Sequence, residues 1–312
     1  MGIDGAEDEY ELAVGRVVDL GGERVRLGDR GDGTTAADGR ALAETRDRFA
    51  YFDQLQAADG RESGWDDAVL RFRERWAEHQ ERWPASGRDA VDRSTDPPGS
   101  WRGDSGRYLD AADNAEVDSR CERIAEAERT TISPAMRAIE AADPSRELVG
   151  WDHRLKGPDR TKEKIAETLA EQPDLTAREA AEDVPDCLRF TFSYNESGYT
   201  KGVIADIGRL KDQGFEMVRL KNYWESPQYR GINSQWREAD TGVRFEVQFH
   251  TPVSYEAKQL THGTYERLRA RQMDPHEELE LEAMQRDVSV TVPRPPSVER
   301  VADYPERRAN AG

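Results

Sequence analysis

The sequence holds only two cysteines, Cys121 and Cys187, in 312 residues. Two thiols so far apart give neither a disulfide framework nor a metal-ligand spacing, and they fit a reducing, cytoplasmic setting. Long apolar runs are missing as well. No stretch approaches the roughly 18 consecutive apolar residues of a spanning helix, so no membrane contact is expected. The opening MGIDGAEDEYEL is acidic and carries no apolar signal core. Ala6 stands where a myristoylation start requires Ser or Thr. Positive charge is in deficit: 45 Lys and Arg face 63 Asp and Glu, a net charge of −18. That balance disfavours a general nucleic-acid coat, which needs a cationic surface. Of the 45 Lys and Arg residues only seven are lysine. Lys156, Lys162, Lys164, Lys201, Lys211, Lys221 and Lys258 are the full set, and all lie within one third of the chain. Arginine replaces lysine everywhere else, so this third is where compact ammonium charges are expected to matter.

Turn-rich and periodic stretches outline the organisation. Residues 1–38 read as loose turns with a short hairpin around Val14–Leu27. Residues 40–84 read as helical, with stripes at Leu42, Phe49 and Phe52 and at Ala68, Phe72 and Trp76. Residues 86–107 read as a Pro- and Gly-rich linker or lid, which divides an N-terminal region, 1–113, from a second domain, 114–290. From 114 a helical stripe runs through Val117, Cys121, Ile124, Glu128, Ile132, Met136 and Ile139, with Glu128 as its one polar lapse. Pro134 either kinks this helix or starts a new one at Ser133. Further helices are expected from Pro158 to about 171, behind the capping box Thr176-x-x-Glu179, over Tyr199–Asp212, from a cap at Ser254 to about 271, and over 276–287. Strands are expected at 187–194 and 215–223, and as a hairpin at 231–238 and 243–250. Residues 291–312 read as a disordered tail. The fold class is α/β (α+β): a mixed β-sheet flanked by helices, preceded by a mostly helical N-terminal region.

Four constellations carry chemistry. The segment WDHRLKGPDRTKEK, Trp151 to Lys164, holds five Lys and Arg residues. Arg154 and Lys156 precede a helix start, and Arg160 and Lys164 share one face of that helix at i and i+4. A helix N-terminus with added cations suits a polyanion such as a triphosphate; the plain alternative is a solvated face paired with Asp152, Asp159 and Glu163. In VRFEVQFHT, alternation sets Glu246, Gln248 and His250 on one strand face and Val243, Phe245, Val247 and Phe249 on the other. A mid-strand carboxylate is costly without a partner, and a metal held against phosphates is one such partner, a salt-bridged sheet surface another. Lys258, His262, Tyr265 and Arg269 fall on one helical stripe. Asp183 and Asp186 precede the strand CLRFTF and are candidate ligands for Mg²⁺, or simply a helix-end turn.

In this order the stretches resemble the synthetase domain of the RelA/SpoT family, the nucleotide pyrophosphokinases, over about residues 114–271. The family's basic motif is matched by Arg154-Leu155-Lys156, then Arg160, which stands where the family has Ser, and Lys164. Its Asp-x-x-x-x-Arg strand is matched at Arg189, with the Asp displaced to Asp186 or Asp183. Its Gly-Tyr-x-Ser-x-His segment aligns with Gly231 to Trp236, and its Glu-x-Gln-x-Arg-Thr with Glu246 to Thr251. The resemblance is strongest to a divergent branch that includes ATP 3′-pyrophosphokinases and toxic small alarmone synthetases. It implies a nucleotidyltransferase-like synthetase fold and transfer of the β,γ-pyrophosphate of ATP to a ribose 3′-hydroxyl of a purine nucleotide, as in (p)ppGpp- or (p)ppApp-type alarmone synthesis. A toxin acting on the tRNA 3′ end and a non-catalytic nucleotide- or RNA-binding module are the alternatives. The resemblance implies Asp186 and Glu246 as catalytic and Mg²⁺-binding, with Asp186 favoured over Asp183 because it keeps the strand face. It assigns Arg154, Lys156, Arg160 and Lys164 to the ATP phosphates, and Asn233, Gln248, His250, Lys258, His262 and Arg269 to the acceptor or to phosphates, the last three around either substrate. Ile232 replaces the Tyr that stacks on the acceptor guanine, so a base platform is expected from Tyr223, Trp224, Tyr229 or Trp236, each of which is equally a candidate core residue. Residues 1–113 contain His79 as their only histidine and lack the His-Asp arrangement of a hydrolase domain. They are a candidate arm for an antitoxin or a regulatory partner.

Overall fold

The computed structural model describes residues 64–84, 91–182, 184, 187–269 and 273–305. The hairpin expected at Val14–Leu27, the stripe Leu42, Phe49 and Phe52, and both Asp183 and Asp186 lie outside the described residues. In chain order the elements are α1 (Gly64–Arg82), the short strands β1 (Trp101–Arg102) and β2 (Tyr108–Leu109), α2 (Ala111–Ala127), a π-helical turn (Glu128–Ile132) and α3 (Ser133–Ala141). Next come β3 (Arg146–Val149), α4 (Pro158–Glu171), α5 (Ala177–Glu182), β4 (Arg189–Tyr194) and α6 (Tyr199–Asp212). The run closes with β5 (Phe215–Asn222), β6 (Ile232–Glu238), β7 (Arg244–His250), α7 (Pro252–Leu260), α8 (His262–Arg269) and α9 (Pro275–Ser289). Among the described residues no helix is long and apolar enough to cross a membrane.

The chain divides into two compact units, residues 1–81 with 256–292, and residues 82–255 with 293–312. This division differs from the one expected near 113, and each unit shows the contacts that hold it together. In the first unit α1 buries Trp65, Ala68, Val69 and Phe72, and α9 buries Leu281, Met284 and Val288. Arg75 pairs with Asp287 at 2.7 Å, and buried His79 meets buried Glu277 at 3.2 Å. The ring of Trp76 stacks on His79 at 5.0 Å, and Arg267 Nε donates to Glu277 at 2.6 Å. The partners of α1 thus come from 150 and more residues downstream, which no local pattern announces. In the second unit residues 101–109, at the end of the stretch expected to be a linker, form a hairpin fastened to α4. Trp101 Nε1 donates to Asp159 (2.9 Å), and Arg107 spans Glu163 and Glu167, both at 2.9 Å. Asp110 then caps α2 by accepting from the backbone of Ala112 and Asp113.

The second unit is built on a five-stranded mixed sheet of order β3-β4-β7-β6-β5, with β4 and β7 parallel and every other pair antiparallel. Its apolar face carries Phe190, Phe192 and Tyr194 from β4, Phe245, Val247 and Phe249 from β7, and Ile232 and Trp236 from β6, all at most 2% exposed. Helix α6 lies on this face. Tyr199 donates its hydroxyl to Phe249 O at 2.7 Å, and Gly202 comes so close to Tyr194 that a Cβ there would lie 2.6 Å from the ring. A buried ionic knot pins the same contact. Asp206 receives the Tyr194 hydroxyl at 2.7 Å and meets Arg146 at 2.9 Å and Arg209 at 2.5 Å.

The α/β class and the mixed sheet follow the sequence expectation, as do α4 with Pro158 in its first turn and the reciprocal Thr176–Glu179 box. Three details differ. Strand β3 is additional: four residues, RELV, are too few to show a period. The helix expected from Ser254 to 271 is two helices broken at Thr261, and its cap is Thr251, which exchanges hydrogen bonds with Ser254. The tail expected to be disordered from 291 is ordered through 305. Tyr304 exchanges backbone hydrogen bonds with Leu220, and Asp303 holds Lys221 Nζ at 2.7 Å. This stretch covers the outer edge of β5, an edge that would otherwise present unpaired backbone groups.

Candidate active site

The second face of the sheet is polar, because alternation that buries the aromatic residues on one side projects their neighbours on the other. The register aligns these neighbours into rows. Arg189, Glu246, Gln235 and Arg219 form one row from β4 to β5; Thr191, Gln248, Asn233 and Lys221 form the next; Ser193 and His250 follow. Glu246 is half-buried and its Oε1 accepts from Gln248 Nε2 at 2.9 Å. A carboxylate thus sits mid-sheet among amides, with an arginine directly opposite.

The basic segment is stitched to the edge of this arrangement. Arg189 N donates to Arg154 O (2.7 Å), Lys156 N to Cys187 O (2.9 Å), and Glu246 N to Leu188 O (2.8 Å), while Leu155 bridges Leu188. The backbone at Arg154–Lys156 therefore lies two strand spacings, about 10 Å, from that of Glu246. From there α4 begins at Pro158 and carries Arg160 and Lys164. Its acidic residues Asp159 and Glu163 are engaged by the hairpin. The Arg154 guanidinium is itself held in place. Its Nε donates to Glu128 at 2.8 Å, and it stacks on one side of Trp151 at 4.4 Å while Arg137 lies 3.6 Å from the same ring. Glu128 begins the π-helical turn, which shifts the helix register by one residue and brings this buried carboxylate to the arginine; the Ser133 hydroxyl donates to it as well.

At the far end of the polar face Tyr229 links β6 to β7. Its hydroxyl donates to Asn233 Oδ1 (2.7 Å) and meets His250 Nε2 (2.9 Å), and His250 Nδ1 meets Ser254 Oγ (2.9 Å). Burial, reinforced by the Glu246 charge, pushes the Tyr229 phenol well above its usual range, so it stays protonated at any working pH. Gly231 is required by close approach: a Cβ would lie 2.7 Å from His250 Cε1 and 3.1 Å from the Tyr229 hydroxyl. Gly231→Ala is accordingly expected to displace the His250 ring and destabilise the protein by about 1–3 kcal/mol, read as a lowered urea midpoint.

Of the residues singled out from the sequence, Arg154, Lys156, Arg160, Lys164, Asn233, Gln248, His250 and Glu246 belong to the second unit. Asn233, Gln248 and Glu246 share one patch, whereas His250 is fully buried behind Tyr229. Lys258, His262 and Arg269 belong to the first unit, so the sheet-face cluster is composed of second-unit residues. Asp186 lies outside the described residues. Among the base-platform candidates Trp224 and Trp236 are core residues at 1% and 0% exposure, while Tyr223 and Tyr229 are half-buried and meet edge to face at 5.6 Å. Ile232 also faces the core at 0% exposure. The position aligned with the expected stacking Tyr thus belongs to the interior of the sheet and not to its polar face. Sequence reasoning missed Glu128 and Trp151 as supports of Arg154. The signal for Glu128 was its place as the one polar lapse in an apolar stripe. Neither Cys121 nor Cys187 forms a disulfide, and burial pushes Cys121 up to about 11, which leaves it unreactive at neutral pH.

The described residues define an α/β sheet domain with a carboxylate-and-amide face flanked by a basic loop and helix. No family model matches the chain, and no curated protein does. Solved structures similar to it include a GTP pyrophosphokinase family protein from Streptococcus pneumoniae, with 16% identity, 58% of this chain and 89% of that chain covered, and a TM-score of 0.39. Small alarmone synthetase 1 from Bacillus subtilis is similar at 13% identity over 56% of this chain and 92% of that one, also with a TM-score of 0.39. The same B. subtilis enzyme bound to its product pppGpp is similar at 14% identity, over 54% and 88%.

Proposed function

We propose that the chain is a pyrophosphokinase that moves the β,γ-pyrophosphate of ATP to the 3′-hydroxyl of a purine nucleotide. The observation that carries this reading is the stitching of Arg154–Lys156 to the strand that flanks Glu246. It joins a cationic loop and helix start to a half-buried carboxylate, although about 90 residues separate them in the sequence.

The chemistry needs a cradle for a triphosphate, an acceptor for the hydroxyl proton and stabilisation of charge that builds on the phosphates. Lys156, Arg160 and Lys164, with Arg154 anchored by Glu128 and Trp151, supply the cradle. The 3′-oxygen attacks the β-phosphorus, the bond from that phosphorus to the α,β-bridging oxygen breaks, and AMP leaves. Glu246 takes the hydroxyl proton on the carboxylate oxygen that Gln248 does not hold. Among the described residues no group of three or more His, Cys, Asp or Glu side chains is placed to hold a metal. A divalent ion such as Mg²⁺ nevertheless suits this face, because it commonly uses one or two carboxylates together with substrate phosphates. Glu246 would provide one carboxylate and Asp186 the second, and the bound ion would neutralise charge on the transferring phosphates. For the base, the half-buried Tyr223 and Tyr229 are the aromatic candidates outside the core. An overall charge of −18 disfavours tRNA as the acceptor.

Incubation with γ-³²P-ATP and Mg²⁺, with GDP, GTP, AMP, ATP or tRNA supplied separately as acceptor, tests the reading. Label is expected on a purine nucleotide. Label on tRNA alone would replace the nucleotide acceptor with an RNA end, and no transfer to any acceptor would overturn pyrophosphokinase activity.

A further inference from the structure

The chain Ser254–His250–Tyr229–Asn233 connects the start of α7 to the middle of the polar face through three side-chain contacts of 2.7–2.9 Å. Ser254 and His250 are 1% and 0% exposed, so water does not compete for the bond between them. The bond at the Asn233 end has a fixed direction: a phenol has one hydrogen, and the Tyr229 hydroxyl donates it to Asn233 Oδ1. His250 Nε2 lies 2.9 Å from the same phenol oxygen and Nδ1 2.9 Å from Ser254 Oγ, whose own hydrogen goes to Thr251 O at 3.1 Å. An Asn amide can turn over and exchange its donor and acceptor ends at little intrinsic cost. Here the bond to Tyr229 ties the carbonyl end down and leaves the NH₂ end as the outward group. Asn233 stands opposite Gln248 in the register, and Gln248 donates to Glu246. The amide so fixed therefore belongs to the patch that contains the carboxylate.

We propose that Tyr229, backed by His250 and Ser254, is a positioning residue that fixes Asn233 with its NH₂ outward, where it donates a hydrogen bond to an oxygen of the acceptor nucleotide beside Glu246. The inference rests on the pyrophosphokinase reading and adds to it a determinant of acceptor binding that lies off the basic loop. It also gives His250 a role different from direct phosphate binding: the ring is closed behind Tyr229 and acts through it. Gly231 serves the same end by letting the ring sit against the backbone.

The test is a double-mutant cycle on the active full-length chain. Tyr229→Phe removes the hydroxyl and frees the Asn233 amide to turn. It is expected to raise the KM for the acceptor nucleotide about tenfold, the worth of one hydrogen bond, with the KM for ATP unchanged and kcat within about twofold. Asn233→Ala is expected to raise the acceptor KM by a similar factor. The double variant should be no worse than Asn233→Ala alone, because Tyr229 then has nothing to orient. Ser254→Ala, which keeps the phenol and the imidazole, should give a smaller rise of about two- to threefold and supplies the same comparison if Tyr229→Phe does not fold. A purely structural role would lower thermal stability and move both KM values, and the effects on acceptor KM would multiply; that outcome overturns the proposal. A wild-type chain that transfers no label overturns the pyrophosphokinase reading and this inference together, whereas an active wild type with multiplicative variants overturns this inference alone.

Discussion

Glu246→Gln is expected to lower pyrophosphate transfer by about 10³-fold while leaving the fold intact. The side chain is half-buried on the polar face of β7, so an isosteric amide fits the same space and exposes no cavity. It carries no negative charge and cannot accept the hydroxyl proton. A positioned general base contributes about 10²–10⁴, and loss of a carboxylate that helps to hold a divalent ion adds to this. Gln248 gives a useful contrast, since its amide donates to Glu246 and does not take part in proton transfer. Gln248→Ala should cost about tenfold, because the carboxylate loses an orienting hydrogen bond and keeps its charge. The measurement is initial-rate label transfer at saturating ATP and acceptor, with thermal unfolding as the control for folding. Retention of more than a tenth of wild-type turnover by Glu246→Gln would remove Glu246 from the chemistry.

Asp206→Ala is expected to cost about 3–5 kcal/mol of stability, the penalty for leaving a buried charge without its partner. Arg146 and Asp206 side chains are both 0% exposed, and the contact between them joins β3 to α6. Removing the carboxylate strands the Arg146 guanidinium in the interior and also takes the acceptor of the Tyr194 hydroxyl. Replacing both ionic partners with apolar residues, as in Arg146→Met with Asp206→Leu, should recover most of the loss, since the pair was expensive to bury in the first place. The pH dependence has a definite sign. Burial raises the Asp206 carboxyl above its ordinary value of 3.8, against the opposing pull of Tyr194, Arg146 and Arg209. The folded state therefore binds a proton that the unfolded state releases. The contribution of this site is complete below 3.8 and is lost as the pH rises through the raised folded value. Wild type should accordingly gain stability relative to Asp206→Asn as the pH is lowered from 7 toward 4. Urea unfolding of both chains at several pH values reads the difference.

Much of the second unit was legible before any coordinates because its patterns are local. Phe190, Phe192 and Tyr194 alternate with Arg189, Thr191 and Ser193, and Phe245, Val247 and Phe249 with Glu246, Gln248 and His250, so strand identity and the division into an apolar and a polar face follow from a period of two. Pro158 marked the start of α4, and Thr176 with Glu179 the start of α5. The elements that escaped are those whose partners are remote. RELV became β3 because Tyr194, Phe192 and the α6 carboxylate Asp206 were waiting for it. The stretch at 101–109 became a docked hairpin because Glu163 and Glu167 accept Arg107. The last described residues took a fixed course because β5 offered an unpaired edge.

The same division runs through the site. Residue types and spacing alone determined that this chain has a cationic segment at 154–164 and a strand carboxylate at 246 with amides beside it, since those depend only on side-chain chemistry and strand alternation. Tertiary structure decided the rest. It determined that the two lie about two strand spacings apart, because only strand pairing sets which strands are neighbours. It turned Ile232, Trp224 and Trp236 into the core and left Tyr223 and Tyr229 at the polar face. It also placed His250 behind Tyr229, where a period of two had shown only that it shares a face with Glu246. Alternation assigns a side chain to a face; burial and hydrogen-bond partners, which depend on segments far away in the chain, decide whether it can meet a substrate there.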